Sequence, residues 1–240
     1  MAKTQNGLVF RVSHYGDDLR PAIFLFCPFG VPAWQLNLRG LPIWRFRRAG
    51  YQVIAYSYRA SVLTVSAELT MQNFNAIMDD ALNRLNNLTK DVPVYAFGSS
   101  MGTVLAMNFA SRSPRVTKIV LNLSYFNIAE HILHLPPLPR LSAGRLSSYV
   151  ADAGGPDGLH HTFDLYSPDH LAGDMDDRDI LLYLSRNDRV LQYRHTRKLR
   201  AKLVEAGARV KYVETAGLGH YFAALSNHLR ASTYMEFLNG

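Results

Sequence analysis

The stretch VPVYAFGSSMGTVLAMNFAS, residues 92–111, decides the fold. Its opening six residues are mostly apolar and have the length of a strand, and its closing nine are an apolar run of helical length. Between them lies Gly98-Ser99-Ser100-Met101-Gly102, a G-x-S-x-G string. A strand that turns straight into a helix needs small residues two places before and two places after the tip, so that neighbouring backbone can approach. Gly98 and Gly102 fill those places and Ser100 stands at the tip. There it also faces a helix N-terminus, whose dipole favours developing negative charge. The pattern predicts Ser100 as a nucleophile, with Ser99 in a structural role.

Working outward, strand signals alternate with helix-length segments, as in a mainly parallel sheet covered on both faces. Strands are predicted over 8–14, 22–27, 52–58, 92–97, 118–123, 180–185 and 209–213. Helices are predicted over 41–49, 73–88, 103–111, 196–206 and 225–238. In 73–88, Phe74, Ile77, Met78, Ala81, Leu82 and Leu85 recur at helical spacing and make one apolar face. Residues 126–178 break the alternation with Pro136-Pro137-Leu138-Pro139, Gly154-Gly155-Pro156 and many Asp and His residues. A structureless loop of that length is improbable in a compact domain. The segment is therefore read as an insertion with short helices, over a core formed by 1–125 and 179–240 in a single domain.

A serine hydroxyl needs a base before it attacks. Of nine histidines, His220 is preferred, because Gly217-Leu218-Gly219-His220 follows the last strand signal and can present the imidazole at the carboxyl edge of the sheet. His14, His195 and His228 lie on early or exposed elements and read as structural. The acid that orients the base is expected to be Asp188, just past strand 180–185, with Glu130 as the fallback. Asp177 and Asp179 precede their strand and would emerge at the wrong end. The oxyanion donors are expected to be the backbone N–H of Met101 and that of Val31, in the loop Pro28-Phe29-Gly30-Val31-Pro32, whose prolines have no N–H.

Composition sets outer bounds. The chain has 240 residues, 48% of them hydrophobic and 19% charged, enough for one sizeable core and too apolar for disorder. No apolar run reaches the length of a bilayer span, and residues 1–10 hold no signal-peptide pattern, so a cytoplasmic protein is expected. Cys27, the single cysteine, ends an apolar strand and reads as a packed small hydrophobe. The net charge is +7. Arg186, Arg189, Arg194, Arg197, Lys198, Arg200 and Lys202 crowd one segment, after an acidic one with Asp164, Asp169, Asp174, Asp176, Asp177 and Asp179. This pattern reads as a solvated helix face beside an acidic loop. No nucleic-acid motif accompanies the basic residues. His160, His161, Asp164, Asp169, His170 and Asp174 follow no metal-site spacing, so no metal is expected.

Gly98 to Gly102, the strand-end Asp188 and Gly219-His220, in that order, resemble the α/β-hydrolase superfamily. The likeness spans the chain from about Leu8 onward. Two segments depart from the common pattern: Phe29-Gly30 replaces a His-Gly pair, and Ser57-Tyr58-Arg59-Ala60 stands where Asp-x-Arg-Gly is usual. The resemblance implies a Ser-His-Asp triad and a mainly parallel sheet flanked by helices, with a small lid insertion after the sixth strand. It implies cleavage of a carboxylic ester in a small acyl substrate through an acyl-enzyme, without a cofactor. Leu25-Phe26-Cys27-Pro28 and Gly219-His220-Tyr221-Phe222 bear some likeness to thioesterases that accompany polyketide and peptide synthetases. The basic segment 194–202 would suit the phosphorylated arm of an acyl carrier or CoA. A thioesterase is thus the nearest alternative, and a non-catalytic ligand-binding member of the fold is the alternative from another class.

Overall fold

A computed structural model describes residues 10–58, 62–63, 66–134 and 143–240. Seven strands form one sheet in the order β1-β3-β2-β4-β5-β6-β7. They are β1 (Phe10–Tyr15), β2 (Ala22–Phe26), β3 (Gln52–Tyr58), β4 (Val94–Ser99), β5 (Val116–Asn122), β6 (Asp179–Ser185) and β7 (Arg209–Thr215). Only β1 is antiparallel to its neighbour; the other pairs are parallel. Every residue of β2 and β3 is buried, which is why these segments read as continuous apolar runs.

The sheet divides its side chains between two cores by the period-2 rule. Phe24 and Phe26 of β2, Ile119 and Leu121 of β5, and Ile180, Leu182 and Leu184 of β6 face one core. Ile23 and Leu25, Val120, and Leu181 and Tyr183 face the other. The first core is covered by α3 (Ala67–Asn87) and α4 (Gly102–Ser111) and, at its far side, by α9 (Tyr193–Glu205). The second is covered by α1 (Ala33–Leu36), α2 (Pro42–Arg48) and α11 (Ser232–Asn239). α4 is buried from Gly102 to Ala110, as expected of a helix enclosed on all sides. α3 begins at Ala67, six residues before the first expected helical position, because Ser66 caps it by accepting the Leu69 N–H.

Between β5 and β6 the described residues form α5 (Ile128–Leu133), α6 (Ala143–Asp152), α7 (Gly155–Phe163) and α8 (Pro168–Leu171). In this chain they therefore follow the fifth strand and not the sixth. Phe163 and Tyr166 pack on Phe74 of α3, and the Tyr149 ring stacks on Phe163.

A second departure lies near the C-terminus. The helix expected over 225–238 is two helices, α10 (His220–Leu229) and α11, with Arg230 and Ala231 between them. α11 leaves the line of α10 to bring Tyr234 and Leu238 onto the second core. Among the described residues no helix is long and apolar enough to cross a membrane.

The chain runs from β2 outward to β3 and then returns to place β4 on the other side of β2. The crevice at the carboxyl ends of β2 and β4 is thus a topological switch point, where open α/β sheets bind ligands.

Candidate active site

Five strand ends meet at that edge. The loop after β2 brings Phe29 and Val31, the turn after β4 brings Ser100, and the chain after β5 brings Tyr125. The loop after β6 brings Asp188, and α10 after β7 brings His220. Ser100 has φ 51°, a left-handed conformation that costs energy for any residue but glycine. Its backbone is held from both sides: its N–H donates to Asn122 O at 2.9 Å, and its carbonyl accepts from Thr103 N at 2.9 Å and Thr103 Oγ1 at 2.6 Å. The flanking glycines are sterically required. A Cβ on Gly98 would overlap the Gly102 carbonyl, and one on Gly102 would overlap the Phe26 carbonyl.

Ser100 Oγ lies 2.9 Å from His220 Nε2, and His220 Nδ1 lies 2.6 Å from Asp188 Oδ2. The other carboxylate oxygen, Asp188 Oδ1, accepts from Val190 N and Leu191 N, both at 2.8 Å. All three side chains are buried. His220 is not in a loop but is the first residue of α10, with Gly219 as its N-cap. The segment before it is tied to the β6 end: Gly217 N donates to Asn187 Oδ1 at 2.7 Å, and Ser185 Oγ donates to Leu218 O at 2.6 Å. The base and the acid thus approach from loops that are bonded to each other. Glu130, the fallback acid, is instead on α5 beside His134 and His160, at 3.4 and 3.5 Å.

The expected oxyanion loop differs in one respect. Val31 N–H donates to Pro28 O at 3.1 Å, closing a turn in which Gly30 takes φ 72°. That donor is engaged inside its own turn, which corrects its assignment as the second oxyanion donor. Phe29 N–H, within the turn, and Met101 N–H, at the start of α4, have no hydrogen-bond partner among the described residues.

A cavity of about 390 Å³ opens over Ser100. Its wall is mainly apolar, with Leu36, Leu41, Phe74, Val104, Ile132 and Phe163 prominent, and its polar members are Gln35, Ser100, Tyr125, His131, His220, Tyr221 and His228. No Asp, Glu, Lys or Arg lines it among the described residues. Burial pushes the Tyr125 phenol, near Ser100, up to about 12, and pushes the His131 imidazole down to about 4, aided by nearby His220. Both side chains are therefore neutral at pH 7.

Tyr125 and His131 were not singled out in the sequence. The available signal was position, since both follow the carboxyl end of β5. His228 is a further correction: it is buried, not exposed, and sits against Ser99 at 3.3 Å. Cys27 is fully buried, and burial drives its thiol far above the usual range, so it packs as a small hydrophobe. Of the acidic His-rich residues, His170 pairs with Asp164 at 2.9 Å, and Asp169 accepts from Asn127 at 3.1 Å. Among the described residues no cluster of three or more His, Cys, Asp or Glu is placed to hold a metal.

These features agree with the comparisons. Residues 41–172, just over half of the chain, match the family model described as serine aminopeptidase, S33, a span that includes Ser100 and ends before Asp188 and His220. No curated protein matches the sequence. Among solved structures, a carboxylesterase of the ammonia-oxidizing thaumarchaeon Nitrososphaera gargenis superposes with a TM-score of 0.61 at 16% identity, over 100% of this chain and 97% of that one. A thermostable carboxyl esterase from Bacillus coagulans, in complex with glycerol, superposes with 0.65 at 15% identity, over 96% and 94%. A lipase in its open form gives 0.65 at 16%, again over 96% and 94%. At such identities these neighbours speak to the fold, and with the family match they place it: the chain belongs to the serine aminopeptidase S33 family, within the α/β-hydrolase superfamily.

Proposed function

We propose that this hydrolase is a serine esterase that cleaves uncharged carboxylic esters through an acyl-enzyme. The observation that carries the reading is the contact line Ser100 Oγ–His220 Nε2–Asp188 Oδ2, at 2.9 and 2.6 Å, on the floor of an apolar cavity. His220 takes the Ser100 proton as Oγ attacks the ester carbonyl, and Asp188 fixes the tautomer and stabilises the imidazolium. The resulting oxyanion is held by Met101 N–H at the positive end of α4 and by Phe29 N–H. His220 then gives its proton to the leaving alcohol. Water, activated by the same imidazole, releases the acid and restores Ser100. The segment 126–178 acts as a lid, since Ile128, His131, Ile132 and Phe163 line the cavity from that side.

The uncharged lining separates this reading from its rivals. An aminopeptidase needs a carboxylate to hold the substrate's terminal ammonium, and a CoA thioesterase needs cations for phosphate. Neither charge is in the wall among the described residues. The cations of α9 instead lie over aromatic rings, with Arg200 3.6 Å from the Tyr212 centroid and Lys198 5.8 Å from that of Phe126.

The test is fluorophosphonate labelling with peptide mass spectrometry, followed by a panel of p-nitrophenyl esters, acyl-CoAs and aminoacyl amides. One adduct, on Ser100, and preference for the esters are expected. Ser100→Ala is expected to lose about 10⁶-fold in kcat. An unlabelled, folded wild type would overturn the proposal, and a preference for thioesters or amides would replace the substrate class.

A further inference from the structure

Behind the elbow lies a second set of buried polar side chains: Ser99, Asn122, Asn227 and His228, none more than 4% exposed. Asn122 is its hub. Its backbone carbonyl accepts the Ser100 N–H, its side-chain Oδ1 accepts from Asn227 Nδ2 at 2.8 Å, and its Nδ2 donates toward Ser99 Oγ at 3.2 Å and Ala224 O at 3.4 Å. His228 Nε2 lies 3.3 Å from Ser99 Oγ and 3.4 Å from Asn122 Nδ2. Burial lowers the His228 imidazole to about 4, so at pH 7 it is neutral and offers an acceptor.

The helix connects the two sets. Asn227 and His228 follow His220 by seven and eight residues on α10, about two turns, so they lie on one side of the helix. α10 thus touches the elbow twice, through His220 on Ser100 and through His228 on the adjacent Ser99. A helix that only had to pack here could do so with apolar residues, and unpaired polar groups would be costly in this setting. Directional bonds add what apolar packing lacks: they fix the helix in rotation and along its axis.

We infer that Ser99, Asn122, Asn227 and His228 are positioning residues that lock α10 to the elbow and so set the Ser100–His220 distance. The inference rests on the esterase reading for its chemistry but on separate contacts for its geometry. Asn227 gives the cleanest test, because it is absent from the cavity wall whereas His228 borders it.

The experiment compares wild type, Asn227→Leu and Ser99→Ala in the full chain. It measures thermal midpoint, the rate of fluorophosphonate addition at Ser100, and kcat and KM on one p-nitrophenyl ester. Misplacing reacting groups by about 1 Å costs on the order of 100-fold. A fall of that order in kcat and in adduct formation is expected for Asn227→Leu, with KM within about twofold of wild type. Ser99→Ala, which only removes an Oγ, keeps the fold testable if Asn227→Leu does not fold, and is expected to show a smaller fall in the same two quantities. A wild type labelled at Ser100 with variants that differ only in thermal midpoint would overturn this inference alone. A wild type that is not labelled would overturn both it and the esterase reading.

Discussion

At the scale of single residues, the elbow is governed by contact distances that leave no room for a side chain. Gly102→Ala would push a methyl into the Phe26 carbonyl of β2, so the start of α4 and the end of β2 would have to move apart. A loss of roughly 2–4 kcal/mol in unfolding free energy is expected, read from chemical denaturation. Retention of wild-type stability would show that the sheet can yield there. His228 makes a different prediction. Its imidazole takes a proton near 6.5 in the unfolded chain and only near 4 when folded. Between those values the unfolded state binds more protons, so stability falls as pH is lowered from 6.5 toward 4, and below that this group takes no more away. At pH 5 the loss from this residue is about 2 kcal/mol relative to pH 7. The drop in thermal midpoint between pH 7 and pH 5 is expected to shrink in His228→Phe; an equal drop would place the sensitivity elsewhere. The reading of residues from sequence divided along the same physical line. Ser100, Asp188 and His220 each follow a strand, so order along the chain announces them. Ser99, Asn122, Asn227 and His228 meet only because three elements converge, and nothing local marks them. Val31 failed for a related reason: a loop's glycine and prolines announce a turn but do not tell which N–H the turn itself consumes.

At the scale of elements, the apolar faces were readable and the breaks were not. The spacing of Phe74, Ile77, Met78, Ala81 and Leu85 gave α3 its buried side, whereas its start depended on a serine cap, Ser66, well upstream of the first apolar signal at Phe74. α10 and α11 read as one helix because Arg230-Ala231 contains neither Gly nor Pro, and the break is imposed by where Tyr234 must go to be buried. Among the short helices after β5, α7 contributes Phe163 to the cavity wall. Phe163 is 1% exposed, packs on Phe74 and Tyr149, and also lines the wall over Ser100. Phe163→Ala is expected to cost about 3–5 kcal/mol and to lengthen the acyl chain that is accepted. Comparing kcat/KM for p-nitrophenyl butyrate and octanoate checks this; a ratio unchanged from wild type would separate Phe163 from the acyl-binding region.

At the scale of the whole molecule, one apolar cluster joins the sheet to the segment after β5. Phe24, Ile119 and Leu182 share it with Tyr149, Leu159, Phe163, Tyr166 and Met175. A single unfolding transition is therefore expected, with far-UV dichroism and tyrosine fluorescence coincident in urea. Two separated transitions would show that 126–178 melts by itself. The sheet order itself bears on synthesis. Ser100 is complete in the first half of the chain, but its partner His220 lies 120 positions later, beyond the last strand. A chain not yet translated through position 220 already holds the elbow, yet lacks the imidazole that lies against Ser100. The contact between Ser100 and His220 therefore closes only after β7 has been made.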